Sequence, residues 1–294
     1  MRQDGPTTAV KPDLDPVGTA ILGLALLCLL TPFLLTTGSP NGSSVRWWLL
    51  VPAVLASAAF LGWERRHQLR GRQPLVPLAL LRIASLRYGV LVSVFFFAAM
   101  MPGMIVTSVY LRQALGISAL TTGLMNLGYA VGSGATAWIA GKFIGRTGRP
   151  LIVWGLAISI LGVIVLTLTA IGLPSSFVVG GVLAAWAVGG IGAGLVLAPN
   201  QALALAAVPI DVGALAGGVL QLGQRVGTAA GVGIGLSLYY ATTYGATDAA
   251  DRTAFERGYA LCMASTVVFF AVALVSALLD VRSANRVELP RTNS

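Results

Sequence analysis

The residue best placed to do chemistry in this sequence is Arg225, which stands in an otherwise apolar run with Gln221 one helical turn before it and Gln224 beside it. A guanidinium offers five fixed donors and a permanent charge, which suits it to holding a polar or anionic group rather than to moving protons. At 1.5 Å per residue it lies about 18 Å along a helix from Gly213, and at such depth contact with hydrocarbon costs several kcal/mol. Gln221 and Arg225 are therefore expected to line an aqueous cavity, the competing role being a structural tie to backbone carbonyls. Asn126 and Tyr129, about one turn apart and flanked by Gly128, Gly132 and Gly134, form a second polar patch. It suits the same cavity or a plain interhelical hydrogen bond worth about 1 kcal/mol.

The chemistry that is absent narrows the function. All ten acids (Asp4, Asp13, Asp15, Glu64, Asp211, Asp248, Asp251, Glu256, Asp280 and Glu288) are expected at interfaces or in loops, so no span offers a carboxylate for a proton relay or an aspartyl protease. The single histidine, His67, falls in a basic stretch read as a loop, far short of a metal-binding cluster. No Walker-type phosphate loop is found, and no cofactor is implied. Cys28 and Cys262 sit in apolar stretches as small hydrophobes, with no disulfide expected. An enzyme is not expected.

The elements that must position Arg225 are spans. Of the 294 residues 56% are hydrophobic and 10% charged, which excludes a water-exposed surface for most of the chain. Runs long enough to cross roughly 30 Å of hydrocarbon predict about eight transmembrane helices, near residues 16 to 36, 47 to 63, 88 to 111, 119 to 141, 150 to 171, 177 to 199, 213 to 240 and 258 to 279. The first run is too long for a signal-peptide core and is expected to remain as a span. The fold class is thus an all-α integral membrane protein. Its net charge of +9 reflects topology rather than nucleic acid, because no soluble basic face is available.

Of the 19 Lys and Arg residues, only Arg46, Arg112, Arg252 and Arg257 fall on one face of this arrangement and Arg225 within it. The rest share the face of both termini, which places the termini in the cytoplasm. Trp47, Trp48 and Trp63 bracket the second span, and Tyr239, Tyr240 and Tyr244 gather at the outer end of the seventh, as interfacial aromatics do. The division expected is a tail over 1–14, two helices over 15–64, a basic cytoplasmic linker over 65–87, six helices over 88–280 and a second tail over 281–294. Leu78 to Leu81 in the linker suggests a short interfacial helix.

Within the seventh span Gly223, Gly227, Gly231 and Gly235 recur every four residues and stack into one smooth ridge, expected to bring another helix close. Pro199, Asn200 and Gln201 end a sixth span rich in Gly189, Gly190, Gly192 and Gly194, where a broken helix is the expectation.

Several patterns in order resemble the fourteen-spanner drug:proton antiporters of the major facilitator superfamily. DPVGTAILGLALLCLL from Asp15 resembles the opening of that family's extra helix pair, and PLVPLALLRIASLR from Pro74 its basic linker. YLRQALGISALTTG, Tyr110 to Gly123, is similar to YLQ-x-x-LG-x-S-x-L-x-x-G at Tyr110, Leu111, Leu115, Gly116, Ser118, Leu120 and Gly123. Pro209, Gly213, Gly217, Gly227 and Gly231, with Gln224 and Arg225, resemble the family's penultimate helix. GKFIGRTGRP resembles the gating-loop motif G-x-L-x-D-R-x-G-R, retaining Gly141, Arg146, Gly148 and Arg149 but placing Gly145 where the acid belongs. Arg146 and Arg149 remain able to clamp a helix end through its carbonyls.

The resemblance implies one six-helix bundle preceded by two linker helices, in the plasma membrane, with the family's other bundle and its acidic coupling residues missing. It further implies export of small amphipathic or drug-like compounds by a proton-coupled antiporter, of which this chain supplies a C-terminal part. The partners implied are the bilayer, a small-molecule substrate, and an N-terminal six-helix half or a second copy. The alternative is a truncated remnant or membrane scaffold that transports nothing without a partner half.

Overall fold

A computed structural model describes residues 15–36, 48, 50–70, 78–243 and 252–288. Among the described residues eight α-helices follow one another: α1 (Pro16–Thr36), α2 (Leu50–Leu69), α3 (Ala84–Gln113), α4 (Ala119–Thr147), α5 (Pro150–Gly172), α6 (Ser175–Ala206), α7 (Gly213–Thr243) and α8 (Arg252–Glu288). Short 3-10 turns at Leu78–Arg82 and Ile210–Val212 lead into α3 and α7. The described residues contain no strand. Among the described residues four stretches, Ala84–Gln113, Pro150–Gly172, Ser176–Ala206 and Arg252–Ala284, are long and apolar enough to cross a membrane. Helices α4 and α7 have the length, but glycine and polar side chains dilute them.

Helix ends depart from the expected spans because hydropathy marks only the part inside hydrocarbon, while hydrogen bonding carries a helix on into the interface. Thus α2 runs through Arg65 and His67, which were expected in the linker. Likewise α8 extends over Glu256 and Asp280. Three acids expected at interfaces or in loops, Asp15, Glu64 and Asp280, are buried, and so is His67. The sixth span is not broken, since α6 continues through Pro199 to Ala206.

Contacts fix the direction of each helix. Gly89 and Ser93 early in α3 meet Asn200 late in α6, Thr107 of α3 meets Tyr259 of α8, and Gly258 of α8 would meet Tyr239 of α7. Each of these pairs is antiparallel, whereas α3 with α7 and α4 with α6 run parallel, as expected when successive helices reverse direction. The large core joins α3, α4, α5, α6 and α8 through Phe96, Tyr110, Met125, Leu156, Trp186 and Phe270. A smaller core gathers Leu80, Leu86, Ala204, Val208, Ala216 and Leu220, from the ends of α3, α6 and α7. Hydroxyls inside the helices, such as those of Ser159, Thr167 and Ser276, donate to carbonyls four residues back, so they add no unmet polar group.

Two connections show why the sequence turns where it does. Gly116 takes φ +63°, a left-handed conformation that a side chain would strain, and Ser118 then accepts the Thr121 N–H at 3.1 Å as the N-cap of α4. Gly148 does the same work with φ +51° between α4 and α5, and Pro150 opens α5 where its missing N–H costs nothing.

Candidate functional site

The four ridge glycines of α7, Gly223, Gly227, Gly231 and Gly235, face α3. A Cβ at Gly223 would touch Val90 and Val94, one at Gly227 would overlap the Val94 carbonyl, one at Gly231 the Ala98 backbone, and one at Gly235 would press on Pro102. The partners on α3 are themselves four residues apart, so two matching ridges run side by side at backbone contact.

The opposite face of α7 is different in kind. Its exposed residues in this half are Ala214, Gly218, Gln221 and Arg225, spaced four, three and four apart, which is a single helical stripe. Other helices expose large apolar side chains instead: Leu120, Leu124, Leu127, Val131 and Trp138 on α4, Trp154, Leu161 and Leu168 on α5, and Val268 and Val275 on α8. Those stripes fit acyl chains. Arg225 forms none of the ion pairs among the described residues, and α7 continues for about 27 Å beyond it, so its side chain cannot reach a helix end.

Gln224 does not share that stripe; it is buried on the flank of the glycine ridge. Asn126 is half-buried on α4. Tyr129 points into the bundle, where its hydroxyl donates to Met100 Sδ at 2.6 Å and its ring meets Trp186 edge to face, with centroids 5.9 Å apart. There it helps line a void of about 20 Å³ with Phe96, Ser159, Trp186 and Thr266, room for about one water. No residue of α7 lines this void, so the structure separates Tyr129 from Arg225.

At one end of the bundle a polar recess of about 550 Å³ opens among Arg112, Gln113, Ser118 and Tyr240. Tyr239, expected at the interface, is instead fully buried, and its hydroxyl donates to Gln113 Oε1 at 3.0 Å. Tyr244 lies outside the described residues.

At the α4–α5 connection, Arg149 clamps a helix but not through its carbonyls: its Nε–H donates to Asp280 Oδ2 of α8 at 2.7 Å. Asp280 thus brings a carboxylate to a loop that lacks its own. Gly141 and Gly148 have open space where a Cβ would stand, and the side chain of Arg146 lies outside the described residues.

A second close helix contact carried no sequence expectation. A Cβ at Gly128 or Gly132 of α4 would overlap the Leu183 or Ala187 carbonyl of α6, and one at Gly190 or Gly194 of α6 would overlap the backbone at Tyr129 or Ser133. The signal was the same four-residue spacing, on two helices at once.

A family model described as Major Facilitator Superfamily matches residues 88–293. The chain is 30% identical over 239 residues to a protein of Streptomyces coelicolor named "Probable actinorhodin transporter", covering 79% of this chain and 40% of that protein. It is 26% identical over 187 residues to "Multidrug resistance protein Stp" of Mycobacterium tuberculosis, covering 63% of this chain and 33% of that one. It is 28% identical over 228 residues to "Uncharacterized transporter YebQ" of Escherichia coli, covering 77% and 48%. The chain therefore spans less than half the length of these relatives. With the matched range running from within α3 through α8, and four helices among the described residues apolar enough to cross a membrane, this is a multi-pass membrane protein that belongs to the Major Facilitator Superfamily.

Proposed function

We propose that this chain forms one wall of the pathway of a secondary, proton-coupled exporter of small amphipathic compounds. In this reading α3 to α8 are the six helices of one bundle, α1 and α2 are an inserted pair, residues 65–87 are the linker, and both termini face the cytoplasm of a plasma-membrane protein. A second six-helix half would face α7 and close the pathway. The supporting observation is the stripe bearing Gln221 and Arg225: an unpaired guanidinium near the middle of a membrane helix is affordable only against water or a polar partner. Relatives named for an antibiotic and for multidrug resistance support the substrate class.

The test is efflux of a fluorescent amphipathic dye by the complete transporter carrying Arg225→Ala, at matched membrane abundance and melting temperature. Export should fall several-fold, with Arg225→Lys retaining more of it than the alanine variant. Normal export from Arg225→Ala would remove Arg225 from the pathway.

A further inference from the structure

Between α1 and α2 lies a groove of about 360 Å³ lined by Ile21, Ala59, Gly62, Trp63 and Arg66. The lining positions of α2 are spaced three, one and three apart, which is one helix face. Val17 and Leu24, both exposed, extend the groove along α1 on either side of Ile21, and exposed Leu55 extends it along α2. A Cβ at Gly62 would meet nothing within 4 Å, so the floor is open rather than filled.

The hairpin is antiparallel, and among its described residues the charge lies at one end. Asp15, just before α1, accepts from the Gly18 N–H at 2.9 Å and from Trp63 Nε1 at 2.8 Å, with His67 Nδ1 3.9 Å away. Asp15 and Glu64 are both buried, whereas Arg65, Arg66 and Arg70 are exposed. The groove is therefore apolar along its length and cationic at its mouth, with the nearby carboxylates turned inward.

That pattern complements one acyl chain joined to a phosphate of net negative charge. We propose that the α1–α2 groove binds an anionic phospholipid, its chain along Ile21, Ala59 and Gly62 and its phosphate on Arg66. A zwitterionic headgroup would bring its ammonium toward Arg65 and Arg70 and gain less. The inference rests on the reading that α1 and α2 lie in the bilayer.

Native mass spectrometry of the purified full chain in mild detergent tests it, with phosphatidylglycerol or phosphatidylcholine of the same acyl chains added stepwise. The first phosphatidylglycerol should bind roughly fivefold more tightly than phosphatidylcholine, and Arg66→Gln should erase that preference. Gly62→Leu, which fills the open floor without a clash, should displace the first lipid of either kind. Trp154→Ala, on the apolar surface of α5, should change neither. Equal affinity for the two lipids in the unaltered protein, or a preference that survives both hairpin variants, would overturn the proposal. A first-lipid affinity that Gly62→Leu leaves unchanged for both headgroups would instead show that the hairpin meets no lipid.

Discussion

Arg149 at the start of α5 and Asp280 on α8 form an ion pair at 2.7 Å although 131 residues separate them in the chain. With side-chain exposures of 28% and 12% the pair is neither solvated nor fully dry, so its worth falls between the small value of a surface pair and the large penalty of an orphaned buried charge. Asp280→Asn or Arg149→Gln should each lower stability by about 1–2 kcal/mol. Thermal melts in detergent would read this, and a double-mutant cycle should return a favourable coupling energy. Purely additive losses would mean the two side chains are neighbours without being partners.

The α3–α7 seam makes a prediction in both directions. Gly227→Ala and Gly231→Ala drive a methyl into backbone that cannot yield locally, so each should cost about 1–3 kcal/mol in melting measurements. Gly218→Ala places the same methyl in open space on the exposed stripe and should be neutral, or stabilising by up to about 1 kcal/mol. Equal effects at the three positions would contradict the seam.

Acid should loosen the hairpin from its polar end. Burial alone would raise the Asp15 carboxyl, but the Gly18 N–H, the Trp63 indole and the nearby His67 ring outweigh it and hold the carboxyl below the usual carboxylate range. A carboxylate whose folded value is depressed contributes stability that is complete above its unfolded value of about 4 and is lost as pH falls through the folded value. Hydrogen exchange at the start of α1, corrected for intrinsic rates, should therefore rise as pH falls below about 4. Asp15→Asn, which keeps a capping oxygen but not the charge, should flatten that rise.

Asn200 ties α6 to α3 by donating from Nδ2 to the Gly89 carbonyl at 2.9 Å and to Ser93 Oγ at 3.0 Å. Asn200→Ala should cost roughly 0.6–1.7 kcal/mol, the range of interhelical hydrogen bonds in membranes, and should speed exchange at the beginning of α3 rather than across the bundle. A uniform change would argue against a local tie.

The all-helical class and the glycine face of α7 could be read from the sequence because lipid punishes exposed backbone and charge so strictly that apolar runs and glycine spacing leave few choices. Gly223 to Gly235 is the clearest case: a four-residue period has only one face to present. Helix ends were harder, since α2 and α8 pass the point where hydropathy falls, carrying His67 and Asp280 into buried positions that composition reads as loop. The site was partly legible. Periodicity put Gln221 and Arg225 on a face of their own, but the direction of Tyr129 depends on Met100 and Trp186, residues from two other helices whose approach no local pattern encodes.

Pro199 has a mechanical consequence. Up to that residue α6 is wedged between α4 and α5 by Gly190, Gly192 and Gly194; beyond it, Asn200 and Ala204 belong with Gly89 and the smaller core. Proline lacks the N–H that would bind the carbonyl four residues earlier, so one rung of the helix ladder is missing where the two allegiances change. A tilt of one core against the other meets its least resistance at that peptide, and α6 then serves as a shaft with a compliant joint rather than a rigid strut.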